Sequence, residues 1–420
     1  MAHAQVGDTP LTAPVLGPRR SAPAASPVKP APASFRAVLR HRSCSRLLAA
    51  SVAGRLPLGM VPVALLLAAQ ADGHSLATAG LLAALYGIAP AFGLPLLGRL
   101  ADLRGLPLPC HLGAGLVAVS LCVLAAAGTS HLAFAAVCVA LAGAGCPPLE
   151  GGLRSLWPTV LPDAAHVRTA YALDSSTQEI VYVAGPALAI GLAGWLSPAA
   201  ALALAAAAAV AGSLAFATAA PARAWRPIAR PRGDRLGALR PPAVRTLLTA
   251  LVLVGITVGG LDVAGVAAAE RHHTAWLAGG LPTVFSAAGL AGGALFARLQ
   301  PATGPRPRHL LWLAGLFAAA WLPLLAPLPA PAICALAALP GALFVPLLTV
   351  ASLALTALAP AGTSTEVVGW MSSAIRLGLA AGTALAGPLG GHFALPLLAA
   401  ALCVLLLSAR TTPSSTPAAV

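Results

Sequence analysis

Residues 108–153 read LPCHLGAGLVAVSLCVLAAAGTSHLAFAAVCVALAGAGCPPLEGGL. Two apolar runs, 108–128 and 131–153, are parted by little more than Thr129 and Ser130. A bilayer core of ~30 Å takes about 20 apolar residues as a helix, the one single-segment conformation that satisfies its own backbone polar groups there. A gap this short forces the two helices into an antiparallel hairpin. Outward from this hairpin the pattern recurs in both directions. The predicted spans are 46–69, 77–98, 108–128, 131–153, 171–195, 198–219, 245–268, 275–297, 309–326, 329–358, 366–390 and 392–409. The fifth and sixth form a second tight hairpin. The span 329–358 is too long for one straight crossing, and Pro340 and Pro346 point to a kink or to a last turn that projects from the bilayer.

Composition agrees. Only 9% of the 420 residues are charged, 58% are apolar, and the mean hydropathy is +0.86. A soluble domain of this size needs far more charge to cover its surface. The expected fold is an all-α polytopic membrane protein with 12 transmembrane helices.

The net charge of +14 would suggest nucleic acid in a soluble chain, but its distribution excludes that reading. Arg and Lys cluster before Arg46, at Arg99–Arg104, at Arg154 and Arg168, at Arg223–Arg245, at Arg298–Arg308 and at Arg410. The alternate gaps, such as Gln70–Ser75 and Leu196–Ala199, hold none. This is the positive-inside pattern. It places both termini in the cytoplasm of a multi-pass plasma-membrane protein and makes contact with anionic lipid a by-product. Arg271, in an outside gap, and the uncharged inside gap Ala359–Thr365 depart from it.

The expected organisation is a disordered basic tail (1–43), an N-terminal bundle (44–219), a cytoplasmic loop (220–244), a C-terminal bundle (245–409) and a short tail (410–420). The seven cysteines lack metal or redox spacing and read as small buried hydrophobes. His272 and His273 have no third ligand in view, so no metal site is expected.

The halves look duplicated. A shift of 199 lays Arg46 on Arg245, Gly80 on Gly279, Gly93 on Gly292, Arg99 on Arg298 and Gly105 on Gly304. A shift of 202 lays Gly185-Pro186 on Gly387-Pro388. Duplicated six-helix halves enclosing a midplane site are a transporter architecture.

After the second span the chain reads Gly98-Arg-Leu-Ala-Asp102-Leu-Arg-Gly105. Glycine permits the tight turn, and the acid suits the positive end of a neighbouring helix. This resembles the signature loop of the major facilitator superfamily, although Leu106 and Pro107 stand where that family has basic residues. In the second copy the acid is replaced by Pro301. The resemblance covers residues 44–410 and implies two pseudo-symmetric six-helix bundles working by alternating access. Gly185-Pro186 resembles the fifth-helix motif of the family's proton-exchanging exporters, and an ordinary helix kink is the alternative. The arginine that many proton-driven members carry inside the fourth span has no counterpart there, since Glu150 and Arg154 lie near its cytoplasmic end.

A charge at bilayer depth costs about 2.5–3.5 kcal/mol or more, so each should face protein or a wet cavity. Tyr171, Asp174, Gln178, Tyr182 and Gly185 share one stripe of the fifth span; Ser372, Arg376 and Thr383 share one on the eleventh. Cavity lining and polar contacts between helices both explain such stripes. Asp174 and Arg376 each lie eleven residues before the glycine of a Gly-Pro pair. That equivalence suggests a latch across the pseudo-twofold axis; pairing of Asp174 with Arg168 or Arg154 is the rival. Arg55, ~13 Å along the first span, is expected to hold an anionic substrate group or to pair with Asp262 or Glu179. The latter two are the expected proton carriers.

The expected function is a secondary active transporter of a small solute, by proton-coupled efflux. Uptake by the same fold is the alternative. The chain has no Walker-type loop for nucleotide-driven pumping, no concentrated Asp/His constellation for an enzyme, and tails too small for a receptor's effector domain. No cofactor or nucleic acid is expected, and the protein should act as a monomer in lipid. Trp157, Trp195, Trp276, Trp312 and Trp321 fall near span ends, where interfacial anchoring is expected.

Overall fold

Prolines decide where the spans are continuous and where they break. The computed structural model describes residues 35–228, 236–274, 276–299 and 307–408, which are helical and without a strand. The chain enters through α1 (Phe35–Arg40) and α2 (Arg42–Arg55). Structure therefore starts inside the predicted tail, because Val38 is buried against the core that holds Leu47. Residues 1–34 lie outside the described set. The first span continues as α3 (Pro57–Ala71), with the break at Leu56. Proline has no N–H to donate and its ring crowds the preceding turn, so a helix ends before it or bends at it.

The same chemistry divides α4 (Leu76–Ile88) from α5 (Pro90–Arg104), and, after α6 (Pro107–Ala127), α7 (Leu132–Ala144) from α8 (Leu149–Val160) across Pro147-Pro148. By contrast α9 (Ala164–Trp195) runs unbroken through Pro186. It starts earlier than predicted because the Asp163 side chain accepts from the Ala165 and His166 amides and caps it. Next come α10 (Pro198–Ala217) and the short α11 (Ala220–Ala224), inside the predicted loop. The second half comprises α12 (Pro242–Arg271), α13 (Trp276–Leu299), α14 (Pro307–Ala319), α15 (Ala330–Leu336), α16 (Ala338–Leu358), α17 (Ser364–Ala386) and α18 (Ala394–Ser408).

The kink expected in 329–358 falls at Ala337, upstream of Pro340, while Pro346 stays inside α16. One expectation needs correcting. Gly387-Pro388 does not bend the eleventh span but ends it: α17 stops at Ala386, and Gly390 (φ 71°) and Gly391 (φ 60°) carry the turn. Among the described residues, eight helical stretches are long and apolar enough to cross a bilayer, and His309–Leu325 and Ala394–Ser408 are shorter apolar ones. The helices α9 and α17 carry Asp174 and Arg376, two of the charged residues of the candidate site.

The buried apolar residues form separate cores. One lies wholly within residues 238–403, and three lie within 38–222, with Leu353 alone reaching over from the second half. The halves also repeat each other's packing. Gly93 on α5 has no room for a Cβ against the Ala144 carbonyl, and Gly292 on α13 has none against the Ala342 carbonyl. Four residues beyond each carbonyl stands a proline, Pro148 or Pro346, which cannot donate to it. Gly143 against Tyr86 and Gly341 against Phe285 form a second matched pair.

Candidate substrate and coupling site

The break at Pro57 leaves Arg55 as the last residue of α2, turned into the protein and only 4% exposed. Its guanidinium donates from Nη2 to Asp174 Oδ1 at 2.9 Å and to Thr177 Oγ1 at 3.1 Å, and from Nη1 to Gln178 Oε1 at 3.1 Å. All three acceptors are on α9. The other oxygen of Asp174 accepts from Arg154 Nε at 2.7 Å, and Arg154 Nη2 reaches Glu150 Oε1, one helical turn away on α8, at 2.8 Å. The Arg154 guanidinium also lies over the Tyr171 ring, 5.5 Å from its centroid. Asp174 is fully buried, with one guanidinium on each oxygen.

This geometry corrects two expectations. Arg55 pairs with Asp174, and Asp262 takes no part in that pairing. Asp174 does not latch to Arg376; the rival pairing with Arg154 is the one that forms. The reason is reach. The α9 stripe of Tyr171, Asp174 and Gln178 turns towards α2 and α8 of its own half, where two cations already saturate the carboxylate.

Arg376 takes a different position. From α17 it crosses to the first half, where Nη1 donates to the Gly87 carbonyl at 3.4 Å, and no carboxylate oxygen lies within 4 Å of it among the described residues. Tyr86, Cys146, Tyr182 and Glu150 lie within electrostatic reach of it. Glu150 itself spans the seam between halves: its Oε2 accepts from Ser372 Oγ at 3.1 Å. Arg55, Cys146, Glu150, Ser372 and Arg376 line one small cavity, with about 20 Å³ of room for water-sized centres. That is space for about one water molecule.

The Gly98–Gly105 motif, expected as a loop, forms the last two turns of α5 and its cap, and it makes a seal at the arginine-rich end. Asp102 accepts from the Thr365 amide at 3.0 Å and the Glu366 amide at 2.8 Å. These are first-turn N–H groups of α17, so the carboxylate satisfies free donors and meets the positive end of the helix. Gly98 lies on the Thr365 backbone and Gly369 on the Leu94 carbonyl, leaving no room for side chains. Gly105, at φ 93°, ends α5. Ser373 Oγ donates at 2.6 Å to the Ala91 carbonyl, which Pro95 cannot use as a donor four residues on. Glu366 reaches back towards the central loop, accepting from the Ala238 amide at 3.3 Å.

The other candidates sit apart or at the margin. Asp262 has an exposed side chain on α12 and joins none of these contacts. Tyr182 is 43% exposed. Gly185 lies against the Gly59 backbone of α3, so this glycine serves a close crossing of helices. The Glu179 side chain lies outside the described set, as does Pro301. Trp195, Trp276 and Trp312 are exposed, but Trp157 and Trp321 are fully buried, Trp321 in an aromatic cluster with Phe285 and Phe317, so interfacial anchoring does not hold for those two. Sequence reasoning placed Arg154 near a helix end and missed its central role. The signal was its spacing of four from Glu150, which puts both on one helix face. Tyr86 and Cys146 gave no signal, since nothing in an apolar span marks one tyrosine or cysteine as facing a distant arginine.

Residues 47–383 match the family model of the Major Facilitator Superfamily. The chain belongs to the Major Facilitator Superfamily. It is accordingly a multi-pass transmembrane transporter, with the all-α fold that the loop motif and the duplication implied. Among solved structures, this superfamily member resembles the human organic anion transporter MFSD10 (TETRAN), with 18% identity, 86% of this chain and 99% of that one covered, and a TM-score of 0.63. It also resembles a bacterial homologue of the iron transporter ferroportin, in an outward-facing state with soaked iron (14% identity, 88% and 99% covered, TM-score 0.68). The same homologue in that state is matched again at 14% identity and a TM-score of 0.67. At these identities the likeness is one of fold. No curated protein matches the sequence.

Proposed function

We propose that this superfamily member is a secondary active transporter that expels a small solute in exchange for protons by alternating access. The observation that carries this reading is the nature of the seam. The halves keep separate apolar cores and meet at the arginine-rich end through discrete polar locks: Asp102 on α17, Ser373 on Ala91, and Glu150 on Ser372. Such contacts can open without unpacking either half. The positive-inside pattern makes this end cytoplasmic, with both termini there, so the arrangement is closed to the cytoplasm and the chain acts as a monomer of twelve crossings in the plasma membrane. Glu150 supports proton exchange, because protonating it would release both Arg154 and the hydroxyl of Ser372 across the seam. Asp262 and Glu179 are the remaining carboxylates to which coupling can be assigned.

Everted vesicles containing the chain, with an inward-acid pH gradient and a panel of dyes and metabolites, test it. Accumulation should follow the gradient, collapse with a protonophore, and fall at least tenfold in Glu150→Gln. Movement that ignores the protonophore, or runs down the proton gradient with the protons, would overturn efflux by exchange.

A further inference from the structure

Among the described side chains, three guanidinium groups, those of Arg55, Arg154 and Arg376, gather around the central cavity and its ion cluster, against two carboxylates, Asp174 and Glu150. Arg55 and Arg154 each hold a carboxylate at 2.9 Å or less. Both oxygens of Asp174 and both of Glu150 are engaged elsewhere. Arg376 is left with one long bond to a neutral carbonyl. A guanidinium does not give up its proton in a protein, so it cannot relieve this by becoming neutral. An unpaired cation inside a membrane protein is costly to keep.

The phenols around it are neutral and can each offer a donor. Tyr86 is 1% exposed, and its hydroxyl lies beside the Cys146 thiol with no oxygen or nitrogen partner among the described residues. A buried phenol normally finds one. The Tyr182 phenol is also within electrostatic reach of Arg376 and is partly open, and the cavity wall offers Leu58 and Leu94. A planar fork of N–H donors beside two phenols, with apolar flanks and one positive charge to spare, matches an oxyanion on a small hydrophobic body.

We infer that Arg376, with the hydroxyl of Tyr86, forms the binding site for the transported solute, and that this solute is an organic monoanion with a carboxylate or sulfonate head. The inference rests on the transporter reading above and names its cargo. It also moves the anion-holding role expected of Arg55 to Arg376, because the Arg55 fork is already filled by Asp174, Gln178 and Thr177.

Calorimetric titration of the purified full-length chain in detergent micelles tests it with isosteres that differ in charge: benzoate and benzenesulfonate against benzamide and benzylamine. One or both anions should bind, and the amide and amine should bind at least tenfold more weakly. Arg376→Gln should lose at least tenfold in anion affinity, and Arg376→Lys should retain part of it. Tyr86→Phe is the decisive variant. Its hydroxyl has only the weakly bonding Cys146 thiol beside it among the described residues, so a purely structural tyrosine predicts nearly unchanged affinity, whereas a ligand contact predicts a loss of about threefold or more with a nearly unchanged melting temperature. Equal binding of all four probes, binding of none, or unaltered anion affinity in a folded Arg376→Gln would overturn the assignment. Proton-driven export of neutral or cationic dyes in the vesicle assay, without anion binding, would sink this site and leave the transport reading standing. Anion binding without vesicle transport would do the reverse.

Discussion

At the scale of single residues, Asp174 is the pivot of the structure. One carboxylate joins α2, α8 and α9 by holding Arg55 and Arg154 at once. Removing one partner of a buried ion pair is expensive because the charge left behind is neither hydrated nor paired, and here two guanidiniums would be left. Asp174→Asn should destabilise the chain by about 3–5 kcal/mol in equilibrium unfolding from mixed micelles. Gln178→Ala, which removes one neutral acceptor from Arg55, should cost only about 1–2 kcal/mol. Equal effects would show that Asp174 is not the residue holding the cluster. Every member of this cluster except Thr177 could be named from the sequence, since charged and amide side chains in apolar helices draw attention. Of their pairings, that of Asp174 with Arg154 was open as the rival to the latch, and that of Asp174 with Arg55 was not foreseen. The repeat placed Asp174 opposite Arg376, but symmetry between halves says nothing about which way a side chain turns, and local reach decided it.

At the scale of elements, the first turn of α17 is the working part. Its free N–H groups are met by Asp102 from the other half, so the last turn of α5 acts as a cap supplied in trans. Loss of a helix cap costs about 1 kcal/mol, enough to move a balanced equilibrium several-fold towards the conformation in which the cap is absent. Asp102→Ala should therefore open the arginine-rich end. Spin labels at Arg104 and Ala361, both exposed, should report a longer distance population that is minor in the parent chain. An unchanged distribution would show that the cap does not hold the gate. The loop motif was legible because glycine and aspartate at that spacing carry a chemical meaning. The role of Glu366, which fastens the central loop through Ala238, was not, because a carboxylate in a first helical turn is ordinary.

At the scale of the whole molecule, the duplication is visible as repeated contacts. Pro148 and Pro346 each leave a carbonyl without its helical donor, and Gly93 and Gly292 each bring a neighbouring helix onto that carbonyl. A Cβ at either position would meet backbone, which cannot move aside as a flexible side chain can. Gly93→Ala and Gly292→Ala should each destabilise by about 1–3 kcal/mol, as overpacking does, and by similar amounts. Thermal unfolding of both variants in micelles checks this. A large effect at one site and none at the other would deny that the two packings are equivalent.

Hydrophobicity alone was enough to determine that this chain is helical and lives in a bilayer, because lipid leaves a backbone no other single-segment way to satisfy its polar groups. The glycines and the loop motif further determined the duplicated halves, since close helix crossings and tight turns admit few residue types. Tertiary structure alone decided which arginine is saturated, which is left over, and which carbonyls the prolines expose to a neighbour. Those outcomes depend on directions and distances of a few ångströms between residues from 20 to 289 positions apart, and no local pattern encodes them.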